Sequence, residues 1–206
     1  NLVTGGLIIF GGLGFLVILD VLKNRSFRKL TLHSKVVIST TLTLLTAGTL
    51  VFRFTEHMPW IGAFFNSVTA RTAGFATYPL NDFSNAGLFV MILVMFIGAS
   101  PGSTGGGITP GTWFILVQAM RSALNKRHMG AFHRSISPEN TSRAFLITQL
   151  SLCAVLIGTF LLCLLEPSFE MRQLLFEVVS AFGTVGLSTG ITADLHAASK
   201  LILIFL

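Results

Sequence analysis

One phrase in this chain is written twice. Ala70-Arg71-Thr72-Ala73-Gly74-Phe75-Ala76-Thr77 returns as Phe182-Gly183-Thr184-Val185-Gly186-Leu187-Ser188-Thr189. The shared core is Thr, any residue, Gly, an apolar residue, a small residue and Thr. A short apolar segment opened by a proline precedes each copy, at residues 59–68 and 167–179. A membrane chain that repeats a short helix and then a glycine-bearing extended stretch builds the wall of an ion filter several times over. Backbone carbonyls replace an ion's water shell only where the chain is extended and side chains stay clear. Glycine makes that backbone geometry cheap.

Composition supplies the solvent. Of 206 residues, 52% are hydrophobic and only 11% are charged, and the mean hydropathy is +0.78. A soluble domain carries roughly 25% charged residues, so the bilayer is the expected surroundings. The net charge of +6 does not point to nucleic acid, because it falls in two clusters between apolar runs. Lys23, Arg25, Arg28, Lys29 and Lys35 form one, and Arg121, Lys126, Arg127, Arg134 and Arg143 the other. Basic connections poor in acids are the positive-inside pattern, which puts both in the cytoplasm. Cys153 and Cys163 lie in one apolar segment, on different faces of a helix, and read as packing residues. The chain begins and ends within apolar residues and lacks an initiator Met, as expected of a fragment of a longer protein.

The order of segments is repetitive. Residues 7–22 read as the cytoplasmic end of a spanning helix. Residues 36–54 match one membrane thickness and run outward, their many Thr and Ser hydroxyls bonding back to the helix or to a neighbour. Residues 59–70 are too short to span and form a re-entrant helix, followed by the first glycine phrase and an extracellular turn at 78–84. Residues 85–120 exceed one span, and Gly98-Ala99-Ser100-Pro101-Gly102-Ser103-Thr104-Gly105-Gly106-Gly107 interrupts them. No regular helix survives that composition, so two half-helices should flank an irregular, cavity-lining loop. Residues 144–165 span outward again, the second short helix and glycine phrase follow, and Leu201 begins the next inward helix. The expected divisions are 1–24 (tail of an earlier inner helix), 25–35 and 123–142 (cytoplasmic connections), 36–122 (one repeat) and 143–206 (a further repeat, truncated in its inner helix). The predicted fold class is an all-α membrane protein: repeated helix–pore helix–filter loop–helix units around a pseudo-fourfold pore.

The chemistry follows from these loops. Carbonyls near Thr72, Ala73, Thr184 and Val185, with Gly74, Phe75, Gly186 and Leu187 completing the two loops, supply half of a fourfold ring for a cation. Each short helix aims the partial negative charge of its C-terminal end at that ring. Arg71 is the odd residue: it tunes ion occupancy, or anchors its loop through carbonyls or Asp82. Asp82 and Asp194 either gather cations at an outer mouth or are solvated loop acids. The Gly-rich loop is not a phosphate loop, because it lacks the lysine after the last glycine. Nor is Ser100 or Ser103 a nucleophile, since the five histidines fall in the connections. No intramembrane acid–base pair is visible, so an enzyme is not expected. The rival reading is a secondary cation transporter with broken helices at a midplane site. Inverted repeats would need opposite charge placement, whereas both units here start from a basic connection.

These phrases resemble the Trk/Ktr/HKT superfamily of potassium transporters, most closely its KtrB-type membrane subunits. Thr69 to Phe75 resembles the third filter of that family, Met95 to Ile108 its broken third inner helix, and Ser180 to Thr189 the fourth filter. The resemblance implies four pseudo-symmetric repeats around one pore, with the positions of Gly74 and Gly186 helping to select K⁺ over Na⁺. It implies that Ala99, Ser100, Pro101, Gly102, Ser103, Thr104, Gly105, Gly106 and Gly107 form a gate under the filter. It also implies a homodimer in a bacterial plasma membrane, a cytoplasmic nucleotide-binding regulatory subunit (KtrA-like) and stimulation by Na⁺. No covalent cofactor and no nucleic-acid partner are expected. The family's arginine in the fourth inner helix has no counterpart here, because the sequence ends before it.

The charge pattern predicts topology. Cysteines placed in residues 126–134 should react with a membrane-impermeant thiol reagent only from the cytoplasmic side. Those in residues 78–84 should react only from outside. Labelling of both stretches from one side would rule out the re-entrant arrangement.

Overall fold

The computed structural model describes residues 2–103, 105–125 and 137–206, with the backbone of 130–131 and 134–135. Two units share one order of elements. The first comprises α3 (Leu32–Thr55), α4 (Trp60–Thr69), α5 (Asn85–Phe96) and α6 (Pro110–Asn125). The second comprises α7 (Pro138–Leu165), α8 (Met171–Phe182) and α9 (Ala197–Phe205). Ahead of both stand α1 (Leu2–Leu13) and α2 (Phe15–Asn24). α3 and α7 are each long and apolar enough to cross a membrane, and α1 with α2 adds a third, bent candidate. α4 and α8, at 10 and 12 residues, fall short of the roughly 20 that a span needs.

Local chemistry sets the boundaries. α3 starts ahead of its apolar run because Thr31 caps it, accepting from the Ser34 N–H at 3.3 Å. His33 therefore sits in a helical first turn rather than in a connection, and it is exposed. Ser39, Thr43, Thr46, Thr49 and Thr55 donate back to carbonyls of their own helix, whereas the buried Thr41 hydroxyl has no partner.

Two expectations are corrected. Residues 7–22 are not one helix, since Gly14 divides α1 from α2 at an angle of 93°. Pro167 does not open the second short helix. It lies in a turn closed by Phe169 N–H onto the Glu166 carbonyl at 3.3 Å. The helix starts at Met171, where Glu170 and Gln173 form a capping box. The fold is all-helical, as expected, apart from a two-residue antiparallel ladder in the second connection, β1 (Gly130–Ala131) against β2 (Arg134–Ser135). Lys126, Arg127 and the Arg134 side chain lie outside the described residues, as does Thr104 of the loop.

The core lies where α5 meets α8, walled by α3 and α7. Phe52, Met91, Met95, Leu162, Phe176 and Val178 are wholly buried there. Along α7, Leu146, Leu150, Ile157, Phe160 and Leu164 remain exposed. Such an apolar surface suits lipid rather than water.

Both units carry the same clamp at the end of the first helix. Glu56 caps α3 and accepts from the Ser84 N–H (3.1 Å) and hydroxyl (2.6 Å) at the start of α5. Glu166 caps α7 and accepts from the His196 N–H (2.6 Å), His196 Nδ1 (2.9 Å) and the Ser199 hydroxyl (2.8 Å) at the start of α9. A carboxylate at a helix N-terminus satisfies orphan N–H groups and favours the dipole. The His196 N–H and the Ser199 and His196 side chains hold the Glu166 carboxyl below its ordinary value, against the opposing effect of burial.

A lowered folded-state value stabilises the fold above the unfolded value, and this contribution is lost as pH falls through the folded one. Acidification below the usual carboxylate range should therefore loosen α9 first. Hydrogen exchange at residues 197–201 should speed up at acid pH in the wild type. In Glu166→Gln that acid-dependent step should be absent.

Candidate filter loops and the loop beneath them

Each short helix ends in a loop of one unusual conformation. In the first, Thr72 has φ +65° and Gly74 φ +73°. In the second, Thr184 has φ +51° and Gly186 φ +83°. The sequence spacing of 112 residues between the glycines thus reappears as a repeated backbone. An ordinary strand turns successive residues to opposite faces, and reversing φ at every second residue breaks that alternation. A β-branched residue at positive φ is an outlier, with a cost of roughly 1–3 kcal/mol that the surroundings must impose.

The surroundings do so with hydroxyls on the helix behind each loop. Thr69 Oγ1 donates to the Phe75 carbonyl and accepts from the Phe75 N–H, both at 2.8 Å. Ser180 Oγ donates to the Leu187 carbonyl at 2.6 Å. The loops start by folding back on their helices, Ala73 N–H onto the Thr69 carbonyl (3.2 Å) and Val185 N–H onto that of Ser180 (2.8 Å). They also approach each other: a Cβ at Gly74 would overlap the Val185 carbonyl oxygen. A Cβ at Gly186 would meet nothing within 4 Å.

The two loops are braced differently. Behind the first lies Arg71, 7% exposed, its Nη2 donating to the Gly98 carbonyl at 3.4 Å. The anchoring role for Arg71 thus runs through a carbonyl, and Asp82 is not its partner but an exposed residue of a short 3-10 helix. Asp194 is exposed as well. Behind the second loop lies Glu177, which the sequence reading did not single out. Its carboxylate, 4% exposed, accepts from the Ser188 hydroxyl (2.8 Å), the Thr189 N–H (2.9 Å) and hydroxyl (3.1 Å), and the Thr192 hydroxyl (2.7 Å). A lone acid in an apolar short helix, followed at 11, 12 and 15 residues by hydroxyls, was the available signal. The corresponding position of the first unit holds Phe65.

The Gly-rich loop lies between α5 and α6, tied at its neck by Gly98 N–H to the Ile108 carbonyl and Ile108 N–H to that of Phe96, both at 3.0 Å. Its turn is closed by the Ser103 N–H (3.1 Å) and hydroxyl (2.6 Å) onto the Ser100 carbonyl. Its far side meets both glycine loops. Gly106 N–H donates to Thr184 Oγ1 at 2.6 Å, and a Cβ on Gly105 would stand 2.6 Å from Thr72 Oγ1. Thr72 and Thr184, Gly105 and Gly106 are thus brought together. Among the described residues no His/Cys/Asp/Glu group could hold a metal ion.

The family model described as TrkH, cation transport protein, matches residues 30–206. The chain belongs to this family. Among its relatives, the Ktr system potassium uptake protein B of Vibrio alginolyticus is 39% identical over 97% of this chain and 47% of its own length. The potassium/sodium uptake protein NtpJ of Enterococcus hirae is 40% identical over 100% of this chain and 49% of its own length. The crystal structure of the potassium transporter TrkH from Vibrio parahaemolyticus superposes with a TM-score of 0.74 at 16% identity. It covers all of this chain and 48% of that one. The chain therefore spans about half the length of the relatives it matches, and it shares the TrkH fold.

The packing predicts unequal effects of equal substitutions. Gly74→Ala should be the more harmful, because positive φ and overlap with Val185 act together. Gly186→Ala adds only the backbone strain, about 1 kcal/mol or slightly more. Thermal denaturation of the purified protein should therefore rank wild type above Gly186→Ala, and that above Gly74→Ala. Glu177→Ala should leave the buried Thr189 N–H unpaired, at about 1–3 kcal/mol, and lower the melting temperature as well.

Proposed function

We propose that the chain supplies half of the pore of a K⁺ uptake protein of the bacterial plasma membrane. The two glycine loops are the third and fourth segments of a selectivity filter with pseudo-fourfold symmetry. K⁺ is held by backbone carbonyls near Thr72, Ala73, Thr184 and Val185. Residues 99–107 form the gate on the cytoplasmic side, so ions move passively through the filter and past this loop. Residues 36–122 and 143–206 are the third and fourth repeats in this reading. A homodimer, a cytoplasmic nucleotide-binding regulatory subunit and stimulation by Na⁺ belong to the same proposal.

One observation carries it: the tip of the loop, Gly105–Gly106, sits against Thr72 and Thr184, the first positive-φ residue of each loop. An ion leaving the loops toward the basic connections must pass that tip. Without helical or sheet bonding along its length, the loop moves by exchanging a few individual hydrogen bonds rather than by breaking a regular element. The names of the relatives, potassium uptake and potassium/sodium uptake proteins, support K⁺ as the cargo and Na⁺ as a second ion.

Flux of K⁺, Na⁺ and Rb⁺ into vesicles holding the complete gene product tests the reading. Replacing Gly74 or Gly186 by Ser should lower the preference for K⁺ over Na⁺ while the protein still inserts. Deleting residues 102–106 should raise K⁺ flux and leave ion preference unaltered. Wild-type selectivity in both glycine variants would reject the filter, and wild-type flux in the deletion would reject the gate.

A further inference from the structure

The break between α1 and α2 has a counterpart across the molecule. At Gly14, φ is 79° and ψ 149°, next to a region that only glycine occupies readily. In an uninterrupted helix the Phe15 N–H would bond to the Gly11 carbonyl, and the Gly12 carbonyl would accept from residue 16. The bend frees both groups. The Gly-rich loop takes both: Ser100 N–H donates to the Gly12 carbonyl at 3.1 Å, and Phe15 N–H donates to the Gly102 carbonyl at 3.4 Å. The fit is close, since a Cβ on Gly14 would stand 2.8 Å from the Pro101 carbonyl oxygen.

Both sides of this joint are irregular backbone, which at membrane depth is tolerated only when its polar groups find partners or water. Each side here satisfies the other. The loop is thereby fixed at two points, Ser100–Gly102 on the elbow of α1 and α2, and Gly106 on Thr184. Arg71 stands beside the first point. It donates to the Gly98 carbonyl and shares a void of about 10 Å³ with Gly12 and Ala99.

We propose that the elbow at Gly12–Phe15 is the seat that holds the loop shut, with Gly14 as its positioning residue. The inference rests on the reading of residues 99–107 as a gate. Opening then means leaving the elbow, and the two freed backbone groups pass to water in the pore. An unbent or differently bent α1–α2 offers no seat, so the loop closes poorly even though its own sequence is intact.

The test uses the complete gene product in vesicles, with its regulatory subunit withheld. Gly14→Ala strains the backbone and places a methyl group against Pro101. Basal K⁺ flux should rise about fivefold or more, the population shift that follows loss of one hydrogen bond, with the K⁺ over Na⁺ preference unchanged. In a background with Cys153 and Cys163 replaced by Ala, Gly12→Cys and Ser100→Cys joined by a short bis-methanethiosulfonate, each thiolate forming a disulfide as methanesulfinate leaves, should suppress flux. A reductant should restore it. If deletion of residues 102–106 raises flux while Gly14→Ala and the bridged pair both behave as wild type, the seat is wrong and the gate stands. If the deletion leaves flux unchanged, the gate reading fails and the seat with it. Should Gly14→Ala not fold, the bridged pair decides alone, and undiminished flux through it overturns the proposal.

Discussion

The need to satisfy backbone polar groups without help from water governs this structure. A membrane chain meets it most simply with helices, and the main departures from helix among the described residues are tied down by specific partners. The glycine loops rest on Thr69 and Ser180. The neck of the interrupted helix closes on itself between Gly98 and Ile108, and its turn is shared with the elbow at Gly14. Irregular segments therefore collect in one region, because each supplies what another lacks. That concentration places two strained loops and an interrupted helix against one another.

The two units repeat where the backbone demands it and diverge where side chains do the bracing. Glu56 and Glu166 make the same clamp from the end of one helix to the start of another. The reason is common to both: a helix N-terminus has orphan donors, and a nearby carboxylate satisfies them. The loops share their φ pattern as well. Behind them, however, stands a buried cation in one unit and a buried carboxylate in the other, Arg71 against Glu177. In the proposed filter this makes the electrostatic surroundings of the two loops unlike, although their backbones match. Burial amplifies the difference, since both charges lie in a medium that screens them poorly.

Much of the site was legible in the sequence because its demands are on backbone geometry. Glycine in both loops, short apolar segments and a glycine-rich interruption each leave a compositional trace. The braces leave a fainter one. Glu177 reads as an isolated acid until Ser188, Thr189 and Thr192 are seen around it. The break at Gly14 sits in a run with other glycines at 5, 6, 11 and 12, and nothing local marks which one bends. Pro167 looked like a helix start by the same rule that suits Pro59, but Glu170 offered a better cap three residues on.

The sequence by itself determined the membrane setting, the repeated order of long helix, short helix and glycine loop, and the interruption of α5 and α6. Those are local properties: hydropathy over a span, glycine and proline content, and charge beside apolar runs. Only the tertiary structure decided that the tip of the interruption meets Thr72 and Thr184, that Arg71 reaches Gly98, and that the bend at Gly14 receives the loop. Each depends on hydrogen-bonding groups far apart in the chain, Gly106 and Thr184 being 78 residues apart. Which donor finds which acceptor is fixed by packing, and no single stretch of sequence contains that information.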